Sequence, residues 1–375
     1  MKSRAILALA AIALGAGLTA AHSAAASRFG HAVFVQTNQP TGNQIVVYDR
    51  SADGTLSMAG TYATGGNGGT AAPGTESDHL ASQGSLVYDA AHELLLAVNG
   101  GSDSVSAFRV RGDRLQLESV VPSGGRFPAS IAVHGRLVYV LNSGGTGIVQ
   151  GFRIEGHHLA PIHGAARSLG LANTDPPFFL SSPGQVGFTP DGHQLLVTTK
   201  ASENTIDVFG VLPNGRLSAA PVANPSATPV PFAFTFTSTG RLAVGEAGAS
   251  TVSTYELGAD GTLSDARSQP DGQVALCWIT RVGPYYYVSN TGSNTISGYT
   301  IAADGQPSLV GATGVVATTE PGTIDSTSPP GTSFLYVETG LGGTVDEFTA
   351  NADGTLTPLG AIGDLPPGIE GIAST

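Results

Sequence analysis

Seven segments of this chain end in an aromatic residue after alternating apolar positions. They read NQIVVY, DSVSAF, GIVQGF, NTIDVF, STVSTY, NTISGY and GTVDEF, and they close at Tyr48, Phe108, Phe152, Phe209, Tyr255, Tyr299 and Phe348. The aromatics are spaced by 60, 44, 57, 46, 44 and 49 residues. A second apolar stretch precedes each segment (HAVFV, ELLLAV, RLVYVL, QLLVTT, RLAVGE, YYYVSN, SFLYVE), and a turn follows, clearest in ADGTL at 52–56, 259–263 and 352–356 and in PNGRL at 213–217. Alternation with a period of two marks half-buried strands, and Asp-Gly or Asn-Gly supplies the positive φ of a tight hairpin. Each unit is therefore a small antiparallel sheet that cannot bury its faces alone. Seven of them predict an all-β chain, a seven-bladed β-propeller of four-stranded blades. The first unit lacks an innermost strand, and the final GIEGIAST reads as one without a blade. Pairing the two closes the ring and removes two sheet edges.

The N-terminus predicts a different fate from the rest. Lys2 and Arg4 precede the apolar run Ala5–Ala16, and Ala24-Ala25-Ala26 follows. That is the pattern of a signal peptide over residues 1–26, leaving one propeller domain over 27–375 and a secreted, extracellular or periplasmic, location. The formal charge of −12 becomes about −14 without Lys2 and Arg4. An acidic chain with no basic run argues against nucleic acid and against anionic membranes. Cys277 is the only cysteine, so no internal disulfide forms. Walker loops, G-x-S-x-G elbows and paired C-x-x-C are absent from the sequence, and His157, His158 and His163 fall near a turn on the face opposite the expected site. No metal and no cofactor is expected.

Strand order assigns the faces. Both long intervals arise in links between blades, ATGGNGGTAAPGTESDHLASQG at 63–84 and GLANTDPPFFLSSPG at 170–184, which fall on one face, here called the top. Loops on a rigid scaffold carry binding, so the top mouth of the channel is the expected site. Innermost strands begin there at Gln83, Ser130, Gln185, Phe232, Cys277–Trp278, Asp325 and Glu370. The second strands are expected to end at Asn38, Asn99, Asn142, Lys200, Glu246, Asn290 and Glu338. Lys200, the only lysine beyond residue 26, is expected to pair with Glu246 on the next blade.

NTGSNTISGYTIAADG at 290–305, ASENTIDVFGVLPNGRL at 201–217, VPFAFTFTSTGRLAVGEA at 230–247 and LCWITRVGPYYYVSNTG at 276–292 resemble the repeats of the bacterial lactonase-type propellers. These are the 6-phosphogluconolactonase and carboxy-muconate cyclase relatives, and the resemblance spans nearly all of residues 27–375. It implies a lactone hydrolase or cycloisomerase. The family usually carries Gly-Pro-Arg-His at the fourth innermost strand, where this chain has Ser182-Pro183-Gly184-Gln185. An uncharged amide is no general base, so other groups must do that work. The candidates are Glu370 and Asp325, with Lys200 to stabilise an oxyanion and Asp78 beside His79 as further acid–base groups. Binding positions are expected at His79, Gln83, Ser130, Asp175, Phe178, Phe179, Gln185, Glu246, Trp278 and Glu338. The expected ligand is a small molecule, a lactone, sugar acid or other carbohydrate-like compound. The alternative is a non-catalytic propeller that holds such a ligand, a glycan or a protein on its top face.

Overall fold

The computed structural model describes residues 31–72 and 76–375. The signal-peptide expectation lies outside them. Among the described residues, seven antiparallel sheets form the blades of a ring. The first blade shows how the ring closes. Its strands Leu56–Ala63, Gln44–Arg50 and Ala32–Gln36 are completed by Ile372–Ser374 as the innermost strand, with Val33 opposite Ser374 and Val35 opposite Ile372. Both the sheet edge at Ala32 and the one at the C-terminus disappear in this pairing. No helix among the described residues is long and apolar enough to cross a membrane.

The core lies between blades. Leu196, Ile206 and Val208 of the fourth blade interdigitate with Phe234, Leu242, Val244 and Tyr255 of the fifth, and other blade pairs repeat the arrangement. The hairpin turns contribute as well. Asp53, Asp260 and Asp353 accept hydrogen bonds from the backbone N–H and hydroxyl of Thr55, Thr262 and Thr355, two residues on. The glycine between them must be glycine. Gly54 has φ of 93°, and a Cβ there would stand 2.4 Å from the Phe334 ring of the preceding blade. A tyrosine of that blade, Tyr336, donates its hydroxyl proton to the Gly54 carbonyl at 2.6 Å. Tyr139 does the same to Gly215 at 2.7 Å and Tyr287 to Gly354 at 3.1 Å. The turn motif thus latches each of these blades to the one before it.

Candidate functional site

Both long links lie on one face and touch. Ala72 donates to the Pro177 carbonyl at 2.9 Å, Phe179 donates to Ala72, and Gln83 donates to Gly184 at 3.0 Å. The first link also reaches the seventh blade, where a Cβ on Gly340 would meet the Ser77 carbonyl at 1.8 Å. The top of the channel is consequently covered. Beneath this cover, beside the fourth to sixth blades, lies a cavity of about 230 Å³ walled by Ser77, Asp78, Phe179, Leu180, Lys200, Val230, Phe232, Ala247, Gly248, Ala275, Cys277 and Thr291.

Lys200 reaches that wall because its backbone leaves the strand Gln194–Thr198 in the left-handed region, at φ of 48°. A residue with a Cβ adopts this conformation at a cost of about 1–2 kcal/mol, and it is common at sites where a side chain must be aimed. The ammonium donates to Ala81 O at 2.6 Å and Phe179 O at 2.5 Å, one carbonyl from each link. It also sits 4.9 Å from the centroid of the Phe232 ring. An ammonium carries three N–H donors, so one remains.

Two carboxyl groups face this lysine. Glu370, fully buried, accepts from the Leu80 and Ser82 backbone N–H groups and is hydrogen-bonded to Asp78. Asp78 lines the cavity, and its Oδ1, closed to solvent, has no hydrogen-bond partner among the described residues. Burial pushes both carboxyls up, Glu370 well above the usual range. The Lys200 charge and the Glu370 hydrogen bond pull Asp78 back down, which makes Asp78 the more acidic of the two. Burial in turn brings Lys200 down to about 8, against the pull of Asp78.

Asp325 and Glu338 stand behind this trio without reaching the cavity wall. Asp325 accepts from Ser326 N–H at 2.8 Å and Glu338 from Gly371 N–H at 2.9 Å. Burial raises Asp325 to about 7 and Glu338 well above its ordinary value. A carboxyl raised on folding binds its proton more tightly in the folded state. Its stabilising contribution is therefore complete below pH 4 and lost as pH rises towards 7. For Asp325 the loss amounts to roughly 4 kcal/mol. Urea unfolding at pH 4.5 and 7.5 should show stability falling with pH, and the fall should shrink in Asp325→Asn. An equal fall in the variant would remove Asp325 from this account.

The remaining expected residues divide between scaffold and surface. Gln83 spans the channel, donating to Ile279 O at 3.2 Å and accepting from Ile279 N–H at 3.0 Å, while Trp278 donates back to Ser82 O at 2.9 Å. Ser130 donates to Gln83 O at 2.6 Å, and Gln185 accepts from Phe234 N–H at 2.6 Å. These four knit the inner ring, and Trp278 is fully buried. Phe178 stacks edge-on against Phe179, of which only Phe179 reaches the cavity wall. Asp175 holds Arg126 at 3.0 Å on the surface. His79 lies over Gly368, where a Cβ would stand 1.9 Å from its ring, and burial lowers its pKa.

The expected Lys200–Glu246 pair does not form. Glu246 is occupied by Ser253 and Tyr255 of its own blade and by Thr228 of the link before it, and Lys200 donates to two carbonyls instead, with Asp78 the strongest charge acting on it. Register explains the error. Asn99, Asn142, Glu246 and Asn290 do end strands, Glu338 is penultimate, but Asn38 and Lys200 lie two residues past their strand ends, both at positive φ. Asp78 reaches the cavity wall from a Gly-rich link, which offers no periodicity from which to place it.

The position of the missing arginine is closed by packing. A Cβ on Gly184 would lie 2.5 Å from Phe232 O and 3.0 Å from Thr198 Oγ1, so no larger side chain fits there without moving the inner strand.

No protein-family profile and no curated sequence matches the chain. Solved structures do. A periplasmic gluconolactonase of Pseudomonas aeruginosa aligns with a TM-score of 0.70 at 19% identity, over 91% of this chain and 98% of its own. A Lactobacillus plantarum protein aligns with a TM-score of 0.70 at 18% identity, covering 92% and 98% of the two chains. A Bacteroides uniformis protein described provisionally as a 6-phosphogluconolactonase gives 0.68 at 20%, covering 92% and 99%. The fold is that of the 6-phosphogluconolactonase-like propellers. At this identity the likeness is one of architecture, and activity must be argued from the cavity.

Proposed function

We propose that this protein opens a small lactone by hydrolysis, or rearranges one, in the cavity beneath the two top-face links. The observation that carries the reading is Asp78 and Lys200 in the wall of a largely apolar cavity, with the buried Glu370 bonded to Asp78 behind it. Carboxyl groups driven apart in acidity beside a buried cation are an arrangement suited to acid–base work. In hydrolysis, Asp78 takes a proton from water as its oxygen attacks the lactone carbonyl carbon. The remaining N–H of Lys200 receives the developing oxyanion. Collapse breaks the ring C–O bond, and the proton held by Asp78 passes to the departing ring oxygen, giving a hydroxy acid. Glu370 keeps the Asp78 carboxylate oriented throughout. Location outside the cytoplasm is part of the proposal, supported by the N-terminal segment and by the periplasmic Pseudomonas aeruginosa neighbour.

One observation favours a second reading. Two of the three Lys200 donors are already spent on Ala81 and Phe179, as in a purely structural clamp, which suits a propeller that only holds its ligand. A pH-stat assay of purified protein against a panel of lactones separates the two. The hydrolase reading expects acid release at least 1,000-fold above the buffer rate. Thermal stabilisation by a lactone without acid release would establish the binding reading instead.

A further inference from the structure

The chemistry of the cavity wall says which lactone fits, an inference that rests on the hydrolase reading above. Phe179, Leu180, Val230, Phe232, Ala247 and Ala275 supply most of the wall. Its polar groups are few and largely committed. The Thr291 hydroxyl donates to Thr323 O at 2.8 Å, and Lys200 donates to two carbonyls. Cys277 is a buried thiol that burial keeps protonated, so it behaves as a small apolar group. What remains uncommitted is one N–H of Lys200, the Ser77 hydroxyl and the Asp78 carboxyl. So short a set serves one carbonyl and one attacking water, with at most one further hydroxyl.

Charge points the same way. Among the described residues Lys200 is the only cation in the wall, and its ammonium already feels the carboxyls of Asp78 and Glu370. A phosphate or carboxylate on the ligand would enter with no counter-charge of its own, and the position matching the arginine of the resembled family is shut by the packing at Gly184. A sugar lactone would bring several hydroxyls, and each one buried without a partner costs of order tenfold or more in binding. Apolar carbons on the ligand, by contrast, gain from contact with this wall.

We propose that the cavity takes an uncharged lactone bearing an alkyl or aryl substituent, with its carbonyl towards Lys200 and Asp78 and its substituent against Phe179, Leu180, Val230 and Phe232, and that it discriminates against hydroxylated and phosphorylated sugar lactones.

The test compares γ-hexalactone, glucono-δ-lactone and 6-phosphoglucono-δ-lactone as substrates of the full chain. The lactam of γ-hexalactone, which resists opening, serves as a probe of binding alone. The expected result is a kcat/KM for γ-hexalactone at least 100-fold above that for either sugar lactone, with the lactam inhibiting competitively and raising Tm. Faster opening of a sugar lactone would overturn this ligand class and leave the hydrolase reading standing. Lactam binding with no lactone opened would do the reverse. If nothing is opened and the lactam leaves Tm unchanged, both fall. A Leu180→Asp variant, which changes a partly exposed wall residue and so keeps the core intact, should lose affinity for the lactam at least tenfold. Undiminished lactam affinity in that variant would overturn the placement of the substituent.

Discussion

A chain cut after Pro367 loses about 5 kcal/mol of stability or more, enough to unfold an ordinary domain of 5–15 kcal/mol at or near physiological temperature. The eight residues removed include Ile372–Ser374, the innermost strand of the first blade. Ile369 and Ile372, both buried, each contribute about 1.5–3 kcal/mol through removal of their side chains from water. Gln36 N–H to Gly371 O at 2.8 Å, Glu370 N–H to Gln36 O at 3.1 Å and Thr375 N–H to Ala32 O at 3.0 Å vanish with them. So does the Glu370 carboxyl that satisfies Leu80 and Ser82, and the ring is left with an open edge at Ala32–Gln36. Urea or thermal unfolding of the truncated chain checks this. An unchanged midpoint would mean that closure by the C-terminal strand contributes nothing.

Asp78→Asn should lower kcat for lactone hydrolysis by about 1,000-fold, within the range of roughly 10²–10⁴ that positioned general bases supply. The amide has nearly the same shape and still accepts a hydrogen bond from Glu370, so the fold should survive. What disappears is the group able to take a proton from water. Glu370→Gln should cost less, because the glutamine amide can still donate to Asp78 and position it. Near-equal activity of Asp78→Asn and the parent, measured by pH-stat on folded protein, would remove Asp78 from the chemistry. An Asp78→Asn protein that still binds the lactam is the expected companion result.

The architecture could be read from the sequence because a repeat of alternating apolar residues, an aromatic and an Asp-Gly turn admits few solutions. The C-terminal closing strand was legible for the same reason, since GIEGIAST has inner-strand character and no blade of its own. Lys200 announced itself as the one cation in a row of four Asn and two Glu. The cavity did not. Val230, Ala247 and Ala275 are small apolar residues of a kind found throughout the core, and only the way the second link overhangs them makes a hollow. Trp278 and Gln83 misled in the opposite direction. Their positions at the channel rim are those of ligand contacts, yet their hydrogen bonds run across the ring to each other's strands. Charge and position along a strand do not reveal which way a side chain points, and Glu246 shows the consequence.

The central claim is that Lys200 is held in a dry wall beside the Asp78 carboxylate, poised near neutrality. Because Lys200 is the only lysine beyond residue 26, lysine labelled with ¹⁵N at Nζ gives a single resonance from protein lacking that N-terminal segment. Its titration should have a midpoint near 8, against about 10.4 for an exposed lysine. In Asp78→Asn the midpoint should move lower still, as the partner that favours the charged form is gone. A midpoint at 10 or above, indifferent to Asp78, would place Lys200 in water and contradict the account.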